Sequence, residues 1–491
     1  MARAAREDFE LSRMRGARRA RRAGSSAGSV ASAAQAPSPR GSHYWIRRGA
    51  DLQMSSAVPH VAPSDFSVAP AWTWPNDLLE QVRFSPLIDS GMNLYVATTT
   101  RVRKFDTAGD VLWTFEQMGL ALTCSPVLDG ERLLVLMQDQ MSVPTLFSLA
   151  LSDGTAEWST RYPDCTVGKD ADGMLVDNGT VFFGVLQTQM MLMDGGADSI
   201  VAASASSGEK LWDYQADALF WNFSPSAPGD GTLIFSSSCG AVFRLSYAGE
   251  LLWRAGWHHN HSMCTTAGGT LGPNGLFYAE YREEINSFPE VGSAGGLWRG
   301  SPTDTLAAYR VSDGALVWRR HMPYRTQNNP AVGRLGPGGP LAVVSALGDN
   351  PFMPMSDAES AALLESSGGG LRTMVVAMDA ETGETLWTWE DERWNSSYGA
   401  GEADPHAPTE PPVCLPDAMG IPTIGGDGTV YASSGLNGDL HAIRDADGDG
   451  VIDPSEVSTL HTRNVFLNGP SLAPGMTAVA PCWGPMYVFR E

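Results

Sequence analysis

The chain has 491 residues, 33 Lys and Arg against 55 Asp and Glu, and a formal charge of −22. Eleven arginines against Glu7, Asp8 and Glu10 give residues 1–48 a net +8, so the remaining 443 residues carry −30, which excludes a nucleic-acid-binding body because phosphate neutralisation needs surplus Lys and Arg. No apolar run approaches the roughly 20 residues of a transmembrane helix, and 53 glycines with 32 prolines point to many turns rather than long helices.

In chain order, residues 1–65 read as a basic, disordered arm. Arg or an acid interrupts each early apolar run, so the core of a secretory signal is missing. An Arg- and Ser-rich start is compatible with organelle targeting, although Glu7, Asp8 and Glu10 depart from an acid-poor transit peptide. The compartment therefore stays open. Six cysteines (Cys124, Cys165, Cys239, Cys264, Cys414 and Cys482), with no CxxC, do not form a disulfide scaffold. Sequons at Asn178, Asn222 and Asn395 matter only in a secreted chain.

The body is organised by a repeat. Six segments place a turn glycine four residues before a tryptophan: Gly109 and Trp113, Gly154 and Trp158, Gly208 and Trp212, Gly249 and Trp253, Gly314 and Trp318, Gly383 and Trp387. The fullest copy is VVAMDAETGETLWTW, from Val375 to Trp389. Each copy reads as a β-hairpin, with glycine supplying positive φ in the turn and tryptophan filling the seam between neighbouring sheets. Successive tryptophans are 45, 54, 41, 65 and 69 residues apart, room for four short strands with variable loops. Upstream phrases such as Ser85-Pro86 with Asp89, and Pro422 with Asp427-Gly428-Thr429, introduce the inner strands of the same unit. This pattern predicts an all-β propeller of four-stranded blades over residues 66–491.

The phrase AMDAETGETLW resembles the signature of the pyrroloquinoline quinone (PQQ) repeat, whose propellers include quinoprotein alcohol dehydrogenases and an outer-membrane assembly lipoprotein. That resemblance implies the fold and leaves function open, because one repeat serves both enzymes and scaffolds. Six hairpins give six blades, and a seventh runs from Gly425 through Leu440–Arg444. An eighth would join the two ends of the chain, Ala71-Trp72-Thr73-Trp74 repeating the outer-strand phrase and Met486–Phe489 reading as an inner strand that lacks its partner. Eight blades are expected, with seven as the alternative.

In the seventh unit the turn and its tryptophan are replaced by residues 445–456. Asp445, Asp447 and Asp449 fall at positions 1, 3 and 5 of an EF-hand-type loop, Gly450 at the sharp turn, Val451 at the carbonyl position, Asp453 at 9 and Glu456 at 12. Five carboxylates in twelve residues repel one another unless a cation sits among them, so a structural Ca²⁺ is expected. A strand precedes the loop and only 454–460 could begin a helix after it, so a paired sensor unit is not expected.

His258, His259 and His261 with Cys264 form a weaker metal candidate, outweighed by a polar channel lining. Trp221, Asn222, Tyr324, Arg325, Gln327 and Asn328 lie on neighbouring connections and read as the mouth of a small-molecule site. The quinoprotein resemblance implies adjacent cysteines against the cofactor, whereas Cys239 and Cys264, the closest here, are 25 positions apart. The lipoprotein resemblance implies an early lipidated cysteine, whereas the first here is Cys124. A capping box at Ser356–Glu359 predicts a short helix, and the stretch 379–410, with nine acids against Arg393 alone, reads as a solvated acidic surface. Together these features predict a monomeric, non-enzymatic propeller that binds a protein or small ligand on its channel face and carries Ca²⁺. A PQQ-dependent alcohol oxidoreductase is the alternative.

Overall fold

The computed structural model describes residues 43–491 except 77–79, 168–172, 186–197, 217–219, 221–222, 238–239, 257–267, 283–303, 327, 350–356, 403–413 and 415–416. Eight antiparallel sheets form an eight-bladed β-propeller. Strands in each blade are lettered A to D from the channel outward. Blade 1 shows the plan, with Leu87–Ile88, Leu94–Ala97, Arg101–Phe105 and Val111–Glu116 as A to D. Blade 4 keeps strands B to D, its inner edge reduced to a bridge between Ser226 and Ile234. Blade 8 closes the ring as the sequence suggests: Ser471–Ala473, Met476–Val479 and Met486–Arg490 pair with the N-terminal strand Trp72–Trp74, with Trp72 opposite Val488. Met486–Arg490 is the third strand of that blade rather than an inner one. The expected helix is present at Asp357–Ser366.

The repeat glycines sit in the C–D turns, and all six have positive φ, from 69° at Gly383 to 95° at Gly109. Each also lies against the tryptophan of the preceding blade. A Cβ added to Gly154 would meet the Trp113 ring at 2.7 Å, and one added to Gly383 would meet Trp318 at 2.7 Å. Bare backbone is therefore required twice over, for the turn and for the ring. The indole N–H then donates to a carbonyl of the next blade: Trp72 to Thr107, Trp113 to Leu151, Trp212 to Tyr247, Trp253 to Val311 and Trp318 to Ala380. At Trp158 the ring still covers Gly208, but Thr160 and Tyr162 donate to the Ser207 and Gly208 carbonyls instead.

Residues 43–65, grouped with the basic arm on composition, are part of the propeller. Between Tyr44 and Val61 the backbone exchanges hydrogen bonds with Ile88, Leu128, Ala227, Leu271, Val332, Ile424 and Gly475, at or just past the end of strand A in seven blades. The segment thus runs around the inner ring at the A–B turn end of the channel. Trp45 and Met54 are buried there, as are Arg47 and Arg48. Ala50, Met54 and Ser56 adopt positive φ, a conformation that surrounding contacts must impose on residues with a Cβ. Beyond it, Phe66 enters the seam between blades 7 and 8, its ring 6.4 Å from Tyr431 and 5.0 Å from Phe489. Composition misplaced this segment because its arginines are not solvated. Arg47 donates to the Pro225 carbonyl at 2.7 Å, and burial, opposed by Asp51, lowers it to about 9.

The seam between blades 5 and 6 holds a buried acid. Glu280 is 1% exposed and accepts a hydrogen bond from Ser345, and burial together with the nearby Asp304 carboxyl pushes it up to about 8.

Two outcomes follow from these seams. Trp113→Ala removes both the ring on Gly154 and the bond to Leu151, and should lower unfolding free energy by about 3–5 kcal/mol in urea titrations. Glu280 stays neutral in the folded state up to about 8 but ionises in the unfolded chain near its ordinary value of 4.5, so stability should fall as pH rises across that window. Glu280→Gln should flatten the dependence and gain on the order of 4 kcal/mol at pH 8.5 relative to the parent.

Candidate metal centre

Loop 445–456 joins strand C of blade 7 (Asp439–Ile443) to strand D (Val457–His461), in the place of a C–D turn. Local sequence shapes it. Gly448 and Gly450 take φ of 78° and 81°, which lets successive carboxylates turn inward. Asp445 accepts from the backbone of Gly448 at 2.8 Å and Gly450 at 3.0 Å. Asp447 accepts from Asp449 N at 3.2 Å, and Asp449 from Val451 N at 2.8 Å. Carboxylate oxygens of Asp445, Asp447 and Asp449 lie within 4.8 Å of one another. Arg444, the only base from 444 to 456, is engaged with Asp427 at 3.2 Å. Such a donor set, oxygen only and strongly negative, fits a hard cation such as Ca²⁺.

Of the six residues singled out in the sequence, these three converge. Val451 follows the turn with its side chain in solvent, and Asp453 donates its backbone N–H to Glu456 at 2.9 Å. Glu456 reaches back across the loop, accepting from Ala446 N at 2.5 Å, and these backbone bonds hold its carboxyl below the usual range. It closes the loop through hydrogen bonds, and ligation at position 12 requires it to turn from them. Residues 454–456 form one 3₁₀ turn and the chain then enters a strand, so no helix follows. Ile452 is partly buried against the apolar cluster of the blade 6–7 seam, which includes Trp387 and Ile443 and is flanked by Leu386 and Trp389, anchoring the loop to the seam.

The other predicted sites are distributed differently. His258, His259, His261 and Cys264, with Trp221, Asn222 and Gln327, lie outside the described residues. Tyr324, Arg325 and Asn328 differ in exposure, Tyr324 half-buried and the other two buried. Tyr324 lies under the Arg372 guanidinium at 4.3 Å, while Arg325 is buried. Asn328 accepts from Arg48 at 3.1 Å and donates to Asp417 and the Met419 carbonyl, tying the inner segment to the blade 6–7 connection.

Sequence reasoning missed two features. Cys414 and Cys482, 68 positions apart, form a disulfide that links the blade 6–7 connection to blade 8. No local motif marks a pair so widely separated. Asp391, Asp439 and His441 also gather, with ligand atoms within 4.8 Å of one another. Asp391 had been counted in the solvated acidic surface, yet its side chain is 13% exposed. Burial pushes its carboxyl up, but the adjacent His441 imidazole outweighs this and holds it below the ordinary value. A cleft of about 720 Å³ adjoins the group, bordered by Trp394, Tyr398, Glu402, Asp439, His461 and Arg463.

A family model described as outer membrane protein assembly factor BamB matches residues 99–263, which span blades 1 to 4. No curated protein sequence matches the chain. Among solved structures, the crystal structure of BamB from Moraxella catarrhalis is similar at 14% identity and a TM-score of 0.51, covering 86% of this chain and 97% of that one. Quinohemoprotein alcohol dehydrogenase from Comamonas testosteroni is similar at 12% identity and a TM-score of 0.55, covering 91% and 80%. The computationally designed Ika8 protein gives 10% identity and a TM-score of 0.50, over 84% and 97%. At such identities the likeness establishes a shared fold: this chain is an eight-bladed β-propeller similar to BamB and to quinoprotein dehydrogenases.

Proposed function

We propose that the chain is a non-enzymatic binding propeller that takes a protein or small ligand on the channel face opposite its inner N-terminal segment, with a structural Ca²⁺ in loop 445–456. The observation that carries this reading is the course of residues 44–61 along the A–B turn end of the channel, bonded to seven blades with Trp45, Arg47 and Arg48 buried. That end is occupied by the chain's own segment, which leaves the other for a partner, and the long connections after Arg282, Gly348 and Glu390 leave their strands at that other end. Resemblance to BamB, whose family model is described as an assembly factor, supports a scaffold over about a third of the sequence. A bound Ca²⁺ offsets the charge of Asp445, Asp447 and Asp449 and fixes the loop that carries Ile452 into the blade 6–7 seam.

The loop lacks the flanking helices of a sensor, so an affinity of about 10⁻⁴–10⁻³ M is expected, as in extracellular modules. At 10 mM Ca²⁺ such a site stabilises the fold by about 1.4–2.7 kcal/mol. Calorimetry should find binding in the parent and none in Asp445→Ala, and the Ca²⁺-dependent rise in melting temperature should vanish in that variant. The quinone alternative is tested by absorption spectra with added PQQ and Ca²⁺. An unchanged spectrum and no dye-linked alcohol oxidation are expected, whereas a bound chromophore with alcohol turnover would establish the oxidoreductase.

A further inference from the structure

We infer that Asp391, Asp439 and His441 form a second cation site, for a divalent transition metal of the zinc class, at the blade 6–7 seam and apart from both the channel and loop 445–456. The ligands come from two blades. Asp391 directly follows strand D of blade 6 (Thr385–Glu390), and Asp439 and His441 stand two apart on strand C of blade 7, hence on one face. His441 is 2% exposed, and the two carboxylate side chains are 13% exposed.

The imidazole is aimed. Its Nδ1 lies 3.0 Å from Thr459 Oγ1 on the adjacent strand, and the Trp389 ring backs it with centroids 4.6 Å apart. These contacts leave Nε2 facing Asp391 Oδ2 at 3.1 Å, yet Nε2 is buried and aligned for no hydrogen bond. Two groups that close without a directed hydrogen bond are placed as co-ligands are. Bonds of about 2.0–2.1 Å in a tetrahedral site put neighbouring ligand atoms about 3.3 Å apart.

Supporting contacts hold the carboxylates. Asn437 donates to Asp391 Oδ2 at 2.8 Å and the Glu392 backbone to Oδ1 at 2.8 Å, while Asp439 Oδ1 lies 2.9 Å from His461 Nδ1. Metal ligands are characteristically oriented by such outer partners. Charge gives a second argument. A divalent ion offsets both of the neighbouring carboxylates, which are 13% exposed, and accepts the imidazole as a neutral ligand. Mixed nitrogen and oxygen donors favour zinc-like ions over Ca²⁺, which prefers oxygen alone. Asp439 and His461 also border the 720 Å³ cleft, which gives the ion a route in and leaves its open position facing the cleft.

The test uses the full chain, stripped with chelator and titrated with Co²⁺ in 10 mM Ca²⁺ so that the acidic loop is already supplied. Visible d–d bands should appear and saturate. Asp391→Asn and His441→Gln should each abolish this component or weaken it at least about tenfold, and Asp445→Asn should leave it intact. Should His441→Gln fail to fold by circular dichroism, the isosteric Asp391→Asn decides alone. Absence of bands, or bands that persist unchanged in folded Asp391→Asn, would overturn the site and leave the group as a His–Asp ion pair.

Discussion

An indole lying on the bare backbone of a glycine is the contact on which the ring depends. It occurs at six of the eight seams, from Trp72 on Gly109 to Trp318 on Gly383. Each blade packs both of its faces against neighbours, its inner strands buried on both sides, so a propeller is stable only when every seam is filled. A large aromatic with one polar atom does this well, since the ring supplies area and its N–H satisfies a carbonyl that the turn would otherwise strand. Loops elsewhere can vary in length because the seams do not involve them.

Seams that lack the indole-on-glycine pair are rebuilt from other parts. Between blades 6 and 7 Trp387 meets no turn glycine, and Ile452 of the acidic loop packs there against the apolar cluster that Leu386 and Trp389 also flank. Between blades 7 and 8 Phe66 lies against Tyr431 and Phe489, and the Cys414–Cys482 disulfide fastens the adjoining connection. Blade 7 is thus the least repetitive unit in sequence, and both cation-type clusters of the described residues draw on it, one together with Asp391 after blade 6. Departure from the repeat and the candidate cation clusters coincide, as expected where local rules are broken for a purpose.

What the sequence disclosed was local. Gly383 and Trp387, or the alternating acids of 445–449, lie within one turn or hairpin, so residue type and spacing reveal them directly. Ring closure by Trp72–Trp74 was legible because that strand repeats a phrase found elsewhere in the chain. Arg47 and Arg48 look like a charged tail until the carbonyl of Pro225 and the amide of Asn328 are brought to them by strands far away in sequence. The grouping of Asp391 with His441 across 50 positions, and of Cys414 with Cys482 across 68, has the same origin. Solvated charge and buried charge share a composition, and only tertiary contact separates them.

The inner segment also sets an order of events. Residues 44–61 are made before any blade is complete, yet their partners extend to Gly475 in blade 8. Strand Trp72–Trp74 likewise waits for Met486–Arg490. Individual blades are built from hairpins and can form as they are made, but the inner segment and the closing blade wait for the strand Met486–Arg490. A product truncated before that strand therefore leaves a ring open at its seam with an unanchored, arginine-bearing segment.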